Sequence, residues 1–170
     1  MKKLFGAITM IGSLVACQEH EAINSEFTGN ESVYPLMAGS TYPIHGTVTF
    51  KEKNDGSALV LVAISGTEGD IKHPVHLHLG NISSPDAAVS ALLDPVLGKT
   101  GLSETHLTRL ADESPISYAQ LVDIDACIKV HLAEAGPDKN IILAGGNIGK
   151  AAANDINNGR AATMSVCQSE

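Results

Sequence analysis

Three of the chain's seven histidines fall in one short stretch, His73-Pro74-Val75-His76-Leu77-His78. His76 and His78 alternate with Val75, Leu77 and Leu79, the period of a half-buried strand. Side chains two apart on a strand leave the same face about 6.5–7 Å apart. Two imidazoles so placed can close on one metal ion while the three apolar side chains face a core. His131 repeats the pattern in Ile128-Lys129-Val130-His131-Leu132, where Lys129 and His131 share the polar phase. If both runs join one sheet, His76, His78 and His131 all project from its non-core face. Three imidazoles without cysteine suit Cu(II) or Zn(II), and the Irving–Williams order favours copper. An open fourth position would admit a small molecule, or let copper cycle electrons. The alternative is that these histidines hold no metal and hydrogen-bond across strands and to loop carbonyls.

The other histidines have weaker claims. Pro74 stiffens the chain between His73 and the strand, so His73 is expected to support the site rather than ligate. His106 lies in a Glu/Thr/His alternation and is the one candidate for an extra ligand. His45 reads as a surface residue at a strand start. Asp123 and Asp125 read as turn residues. No Ser/His/Asp arrangement, phosphate loop or paired-carboxylate motif points to hydrolysis.

Strands dominate the elements that must carry this cluster. Tyr42 to Phe50 and Ser57 to Ser65 read as a hairpin about Asn54-Asp55-Gly56. Further strands are expected at the histidine run, Ala87 to Leu93, Glu104 to Leu110, Cys127 to Leu132, Asn140 to Ala144 and Ala161 to Val166. Asp94 to Gly101 reads as a turn-rich link. Gly145-Gly146 should end its strand, and residues 147–160, rich in Ala, Asn and Gly, read as a loop. One short helical segment is expected near 115–121, with Ser114 as cap and Pro115 at the first helical position. Seven or more short strands joined by turn residues argue for an all-β fold, an antiparallel Greek-key sandwich or flattened barrel. Aromatics are 4% of the chain and Trp is absent, so the core must be built from Val, Ile, Leu and Ala.

The first residues address the chain. Met1-Lys2-Lys3 is basic, and Leu4 to Ala16 is an apolar run broken by Gly6 and Gly12. It is shorter than the roughly 20 residues of a membrane span and suits a signal-peptide core. It ends in Leu14-Val15-Ala16-Cys17, which resembles the lipobox of bacterial lipoproteins. That resemblance implies cleavage after residue 16, lipidation of Cys17, and anchoring in the cell envelope by acyl chains. Gln18 after the cysteine points to the outer membrane. An ordinary signal peptide with a stray cysteine is the other reading. Residues 17–40, polar after Cys17, then read as a tether, and 41–170 as one domain.

Removal of residues 1–16 takes away two lysines and leaves nine cations against 19 acids, a charge of −10. An acidic exported domain is a poor partner for nucleic acid or anionic lipid, so membrane contact is expected through the anchor alone. Beyond Cys17, Cys127 and Cys167 remain as an even pair in an oxidising compartment. They are either two buried thiols or a disulfide, which by closing about 40 residues would contribute roughly 4 kcal/mol.

Two family resemblances emerge from these motifs. The segment GTVTFKEKNDGSALVLVAISGTEGDIKHPVHLHLGN resembles the N-terminal hairpin and H-x-x-H-x-H strand of copper/zinc superoxide dismutases, and Lys129-Val130-His131 resembles a later ligand strand. The resemblance implies a dismutase-like β-sandwich with His76, His78 and His131 as copper ligands and His73 in support. The long zinc loop is missing, His106 is the single histidine between His78 and His131, and Arg109 and Arg160 are the only arginines. The chain is more similar to short CHRD-domain lipoproteins of Bacteroidetes-like bacteria. That similarity rests on His73–His78, Ser103-Glu104-Thr105, Ile116-Ser117-Tyr118, Val130-His131-Leu132 and Gly146-Asn147-Ile148-Gly149, and covers about residues 44–150. The activity of that family is not well defined, so the similarity implies a fold more than a function. With the histidine cluster added, the expectation is a non-catalytic envelope domain that binds one copper or zinc ion or an envelope protein partner. The alternative is a copper-only oxidoreductase with superoxide dismutase activity.

Overall fold

A computed structural model describes residues 25–84, 87–159 and 165–167. The expected signal segment, Cys17 and the first residues of the tether lie outside the described residues. The elements are β1 (Phe27–Ala38), β2 (His45–Lys53), β3 (Ala58–Ser65), β4 (Lys72–Leu79), β5 (Val89–Leu97), β6 (Leu102–Leu107), α1 (Tyr118–Asp123), β7 (Asp125–His131), β8 (Ile142–Ile148), α2 (Gly149–Asn157) and β9 (Ser165–Cys167), with a short 3-10 turn at Pro137–Asn140.

The all-β expectation holds. Eight strands close a barrel in the order β1-β2-β3-β6-β5-β4-β7-β8, and β8 returns to β1. Every pairing is antiparallel. β4, β5 and β6 are successive neighbours, β7 returns to lie beside β4, and β3 lies beside β6, so the chain traces Greek keys. Alternation sends Leu36, Val48, Phe50, Val60, Val62, Val75, Leu77, Val96, Ile128 and Val130 into the interior, all essentially fully buried.

Several boundaries move. The expected tether over residues 17–40 contains β1, a full barrel strand. Its Ser32, Tyr34 and Leu36 are buried in alternation, and it pairs with β2 from Phe27 to Leu36. Gly29, with φ 95°, sits in the bulge that interrupts that register, a backbone conformation costly for other residues. β5 runs on to Leu97 through the expected link. Gly145 and Gly146 lie inside β8. A Cβ at Gly146 would collide with the Pro35 carbonyl oxygen, so the glycines mark a close backbone approach rather than a strand end. Residues 149–157 are helix α2, not loop. The helix near 115–121 is α1. Its cap is Ser117, whose side chain accepts from the Gln120 N–H while the Gln120 side chain reaches back to the Ser117 N–H, a reciprocal capping box.

The Cys127–Cys167 bridge does not form: Cys127 is a buried free thiol. β9 pairs with the middle of β1, Cys167 lying opposite Glu31. β1 meets β8 at Met37 and Ala38, about 20 Å further along, and Cys127 lies one strand beyond β8. A disulfide needs Cα atoms within about 4.4–6.8 Å. Burial raises the Cys127 thiol pKa, which keeps it protonated and unreactive.

If β1 is a barrel strand rather than a tether, Leu36→Ala should destabilise the protein by about 2–5 kcal/mol in urea unfolding. A loss below about 0.5 kcal/mol, as for a surface residue, would return these residues to the tether.

Candidate metal centre

The β4–β7 ladder builds the site. Val75 faces Val130 and Leu77 faces Ile128 on the inner side, while His76 faces Lys129 and His78 faces Cys127 on the outer side. His131 continues the outer phase of β7, just past a register shift against β8. The rings of His76 and His131 have centroids 4.8 Å apart, those of His76 and His78 5.7 Å, and those of His78 and His131 6.0 Å. One ring nitrogen from each residue lies within 4.8 Å of the others. A metal with bonds of about 2.0–2.1 Å would require them to close in by roughly 1 Å. The three side chains can therefore hold a metal ion.

The outer face is covered rather than solvent-swept. Lys129 is only 4% exposed and His78 7%. The Asn147 side-chain oxygen, from β8, accepts the Ile82 N–H at 2.7 Å, and the Lys129 ammonium donates to the Ser84 carbonyl at 3.4 Å. Together these hold the segment after β4 across the sheet.

Hydrogen bonds fix which nitrogens are free. His78 Nδ1 meets the Ala87 carbonyl at 2.7 Å, and His131 Nδ1 meets the Lys139 carbonyl at 2.9 Å. A carbonyl oxygen only accepts, so each Nδ1 carries the proton and each Nε2 presents a lone pair. Both Nε2 atoms are buried with no hydrogen-bond partner. Buried polar atoms are rarely left so, and a histidine whose Nδ1–H is held by a carbonyl while its Nε2 stays free is arranged as ligating histidines are.

The electrostatics keep the rings neutral. Burial, then the nearby His131 and His78, lowers the His76 pKa to about 4. Burial also lowers His78 and His131. The bonds to Ala87 and Lys139 oppose that shift, and the charge of Lys129 adds to it. Metal ligation needs neutral imidazole, so the cluster meets that requirement at pH 7 without losing protons.

Of the predicted site residues, His76, His78 and His131 come together. His73 stays outside the cluster, buried, with Nδ1 donating to the carbonyl of Leu132, next to His131. His106 is not an extra ligand. It sits on β6, three strands from β7, with Lys53 Nζ 3.2 Å from its Nε2. His45 is exposed at the start of β2. The carbonyls of Ala87 and Lys139 and the side chain of Asn147 also build the site. Sequence gives no signal for the two carbonyls, because every residue has one.

No known protein-family description, curated protein or solved structure matches this chain.

The neutral cluster has a measurable consequence. In the metal-free protein, NMR should show the His76 ring neutral until the pH falls towards about 4. The unfolded chain takes up that proton near its ordinary value of about 6.5. Stability should therefore be constant above that pH and decline between about 6.5 and about 4. A His76 ring titrating at 6.5 would contradict the burial described.

Proposed function

We propose that this protein is a lipid-anchored envelope protein of CHRD-domain type whose barrel binds one copper or zinc ion through His76, His78 and His131 without turnover. The observation that carries the reading is the pair of buried, unpartnered Nε2 atoms of His78 and His131 beside His76. The Leu14-Val15-Ala16-Cys17 sequence supports the anchor, and the acidic balance argues against nucleic acid as a partner.

A metal here would bridge two neighbouring strands. Its binding energy would add to folding stability, because the unfolded chain does not hold the three rings together. Among the described residues no carboxylate or thiol joins the group, which leaves three imidazoles as its ligands. A metal held by these three alone would keep a fourth position open, the feature that favours a second reading, a copper-only dismutase-like oxidoreductase.

Titration of the metal-stripped full chain with Cu(II) and Zn(II) tests the assignment. One equivalent should bind and raise Tm. The His76→Ala/His78→Ala double variant and His131→Ala should each lose at least about 100-fold in affinity, while His106→Ala binds as before. Equal binding by the double variant and the original chain would overturn the ligand set. A dismutase assay on the copper-loaded protein decides between the readings, with activity no higher than the metal-free background expected.

The anchor has its own test. Cys17→Ser should abolish incorporation of labelled fatty acid in a bacterial host that processes lipoproteins. Undiminished labelling would remove the lipobox assignment.

A further inference from the structure

Lys129 sits in the middle of the candidate site. It lies opposite His76 across the β4–β7 ladder and two residues before His131. It is 4% exposed, so water screens its charge poorly. Among the described residues it makes no ion pair, and its ammonium bonds only to the Ser84 carbonyl. The register puts it on the same outer face as His76 and His78, and it precedes His131 by two residues on β7. A metal cation held by these rings would meet the repulsion of its ammonium.

Among the described residues, no carboxylate or thiolate joins the three grouped imidazoles. The nearest acid in the hydrogen-bond network is Asp155, which accepts from the Asn147 side chain and makes no ion pair with Lys129. Cys127, opposite His78 in register, is not among the side chains that come within reach. The Nδ1–H groups of His78 and His131 donate to neutral carbonyls. Zinc sites often place carboxylates there, which make the imidazole a stronger donor. Glu134 lines the small cleft of about 200 Å³ beside His76, but it is exposed and therefore screened.

From this juxtaposition of a buried ammonium with three neutral, carbonyl-bonded imidazoles, we infer that the site selects a monovalent soft cation, Cu(I) or Ag(I), over divalent copper or zinc. The inference rests on the metal-binding reading above and names the charge class of its ion. Burying an ion without counter-charge becomes steeply costlier as its charge rises. Repulsion from Lys129 scales in proportion to that charge. Both effects act against M(II) more than M(I), in a ligand set that is otherwise suitable for either.

The test is competition titration of the full chain, anaerobically with Cu(I) against a chromophoric Cu(I) chelator, and separately with Ag(I), Cu(II) and Zn(II). The original protein should bind Cu(I) and Ag(I) at least about tenfold more tightly than Zn(II) or Cu(II). Lys129→Met removes the charge while keeping much of the side-chain volume. Since Coulomb energy is linear in the ion's charge, the variant's gain for Zn(II) should be about the square of its gain for Ag(I): a threefold tightening of silver implies about ninefold for zinc. Lys129→Arg keeps the charge and should keep the original ratio, which separates charge from folding effects. Tighter binding of Zn(II) or Cu(II) than of Cu(I) by the original protein would overturn the inference while leaving the metal site intact. Equal gains for Ag(I) and Zn(II) in Lys129→Met would do the same. Failure to bind any of the four ions would overturn the metal reading itself, and this inference with it.

Discussion

The register of β4 against β7 is the constraint on which both the core and the site depend. Val75 opposite Val130 and Leu77 opposite Ile128 fill the interior, and the same pairing puts His76 opposite Lys129 and His78 opposite Cys127 outside. A slip of one residue would exchange the two faces completely, burying the histidines in the barrel and exposing its fully buried valines and leucines. The hydrophobic pairing thus also sets the register of the site. β5 and β8 flank the pair and hold it from both sides, so the histidines stand on the central strands of a continuous ladder rather than on loops. Rigid backbone is what a preformed ligand set requires.

Much of this could be read from the sequence because strand periodicity is a local signal. The polar phase of His76, His78, Lys129 and His131 was visible in two segments of five or six residues, and apolar neighbours on both sides fixed the inner face. The hairpin about Asn54-Asp55-Gly56 was equally local. Long-range pairing was reached only by inference. That β4 and β7 are neighbours, with β3 crossing over to β6, is a property of the Greek-key path, and no residue in either strand announces it.

The misread segments fail for identifiable reasons. β1 carries Asn30, Glu31 and Ser32 in its first half and Pro35 in its second, a composition that reads as linker. It is a strand because β2 and β8 need a partner to close the barrel, a tertiary demand that overrides propensity. Gly145 and Gly146 look like punctuation, yet the barrel uses them where the Pro35 carbonyl and the Ile128 carbonyl come too close for a side chain. α2 is mostly Ala, Asn and Gly, and Ala151 and Ala152 bury its inner side. The cysteine pair shows the opposite error. Even number and oxidising address made a bridge reasonable, but register keeps the two backbones far apart.

Energetics bear on why three histidines share this covered face. A buried polar atom without a partner costs about 1–3 kcal/mol, and His78 and His131 each leave one. Two such atoms amount to a sizeable part of the 5–15 kcal/mol that typically separates folded from unfolded states. Apolar side chains at the same positions would avoid this cost, much as apolar replacements for buried ion pairs are often neutral or stabilising. Lys129 adds to it, since a buried ammonium with a single carbonyl partner is expensive in its own right. The carbonyls of Ala87 and Lys139 do not relieve the strain. They hold each ring by Nδ1 and leave Nε2 unpaired. A purely structural histidine would gain most by turning that nitrogen towards solvent or a donor. The hydrogen bonds instead stabilise the orientation that leaves each Nε2 lone pair free for a donor or a cation.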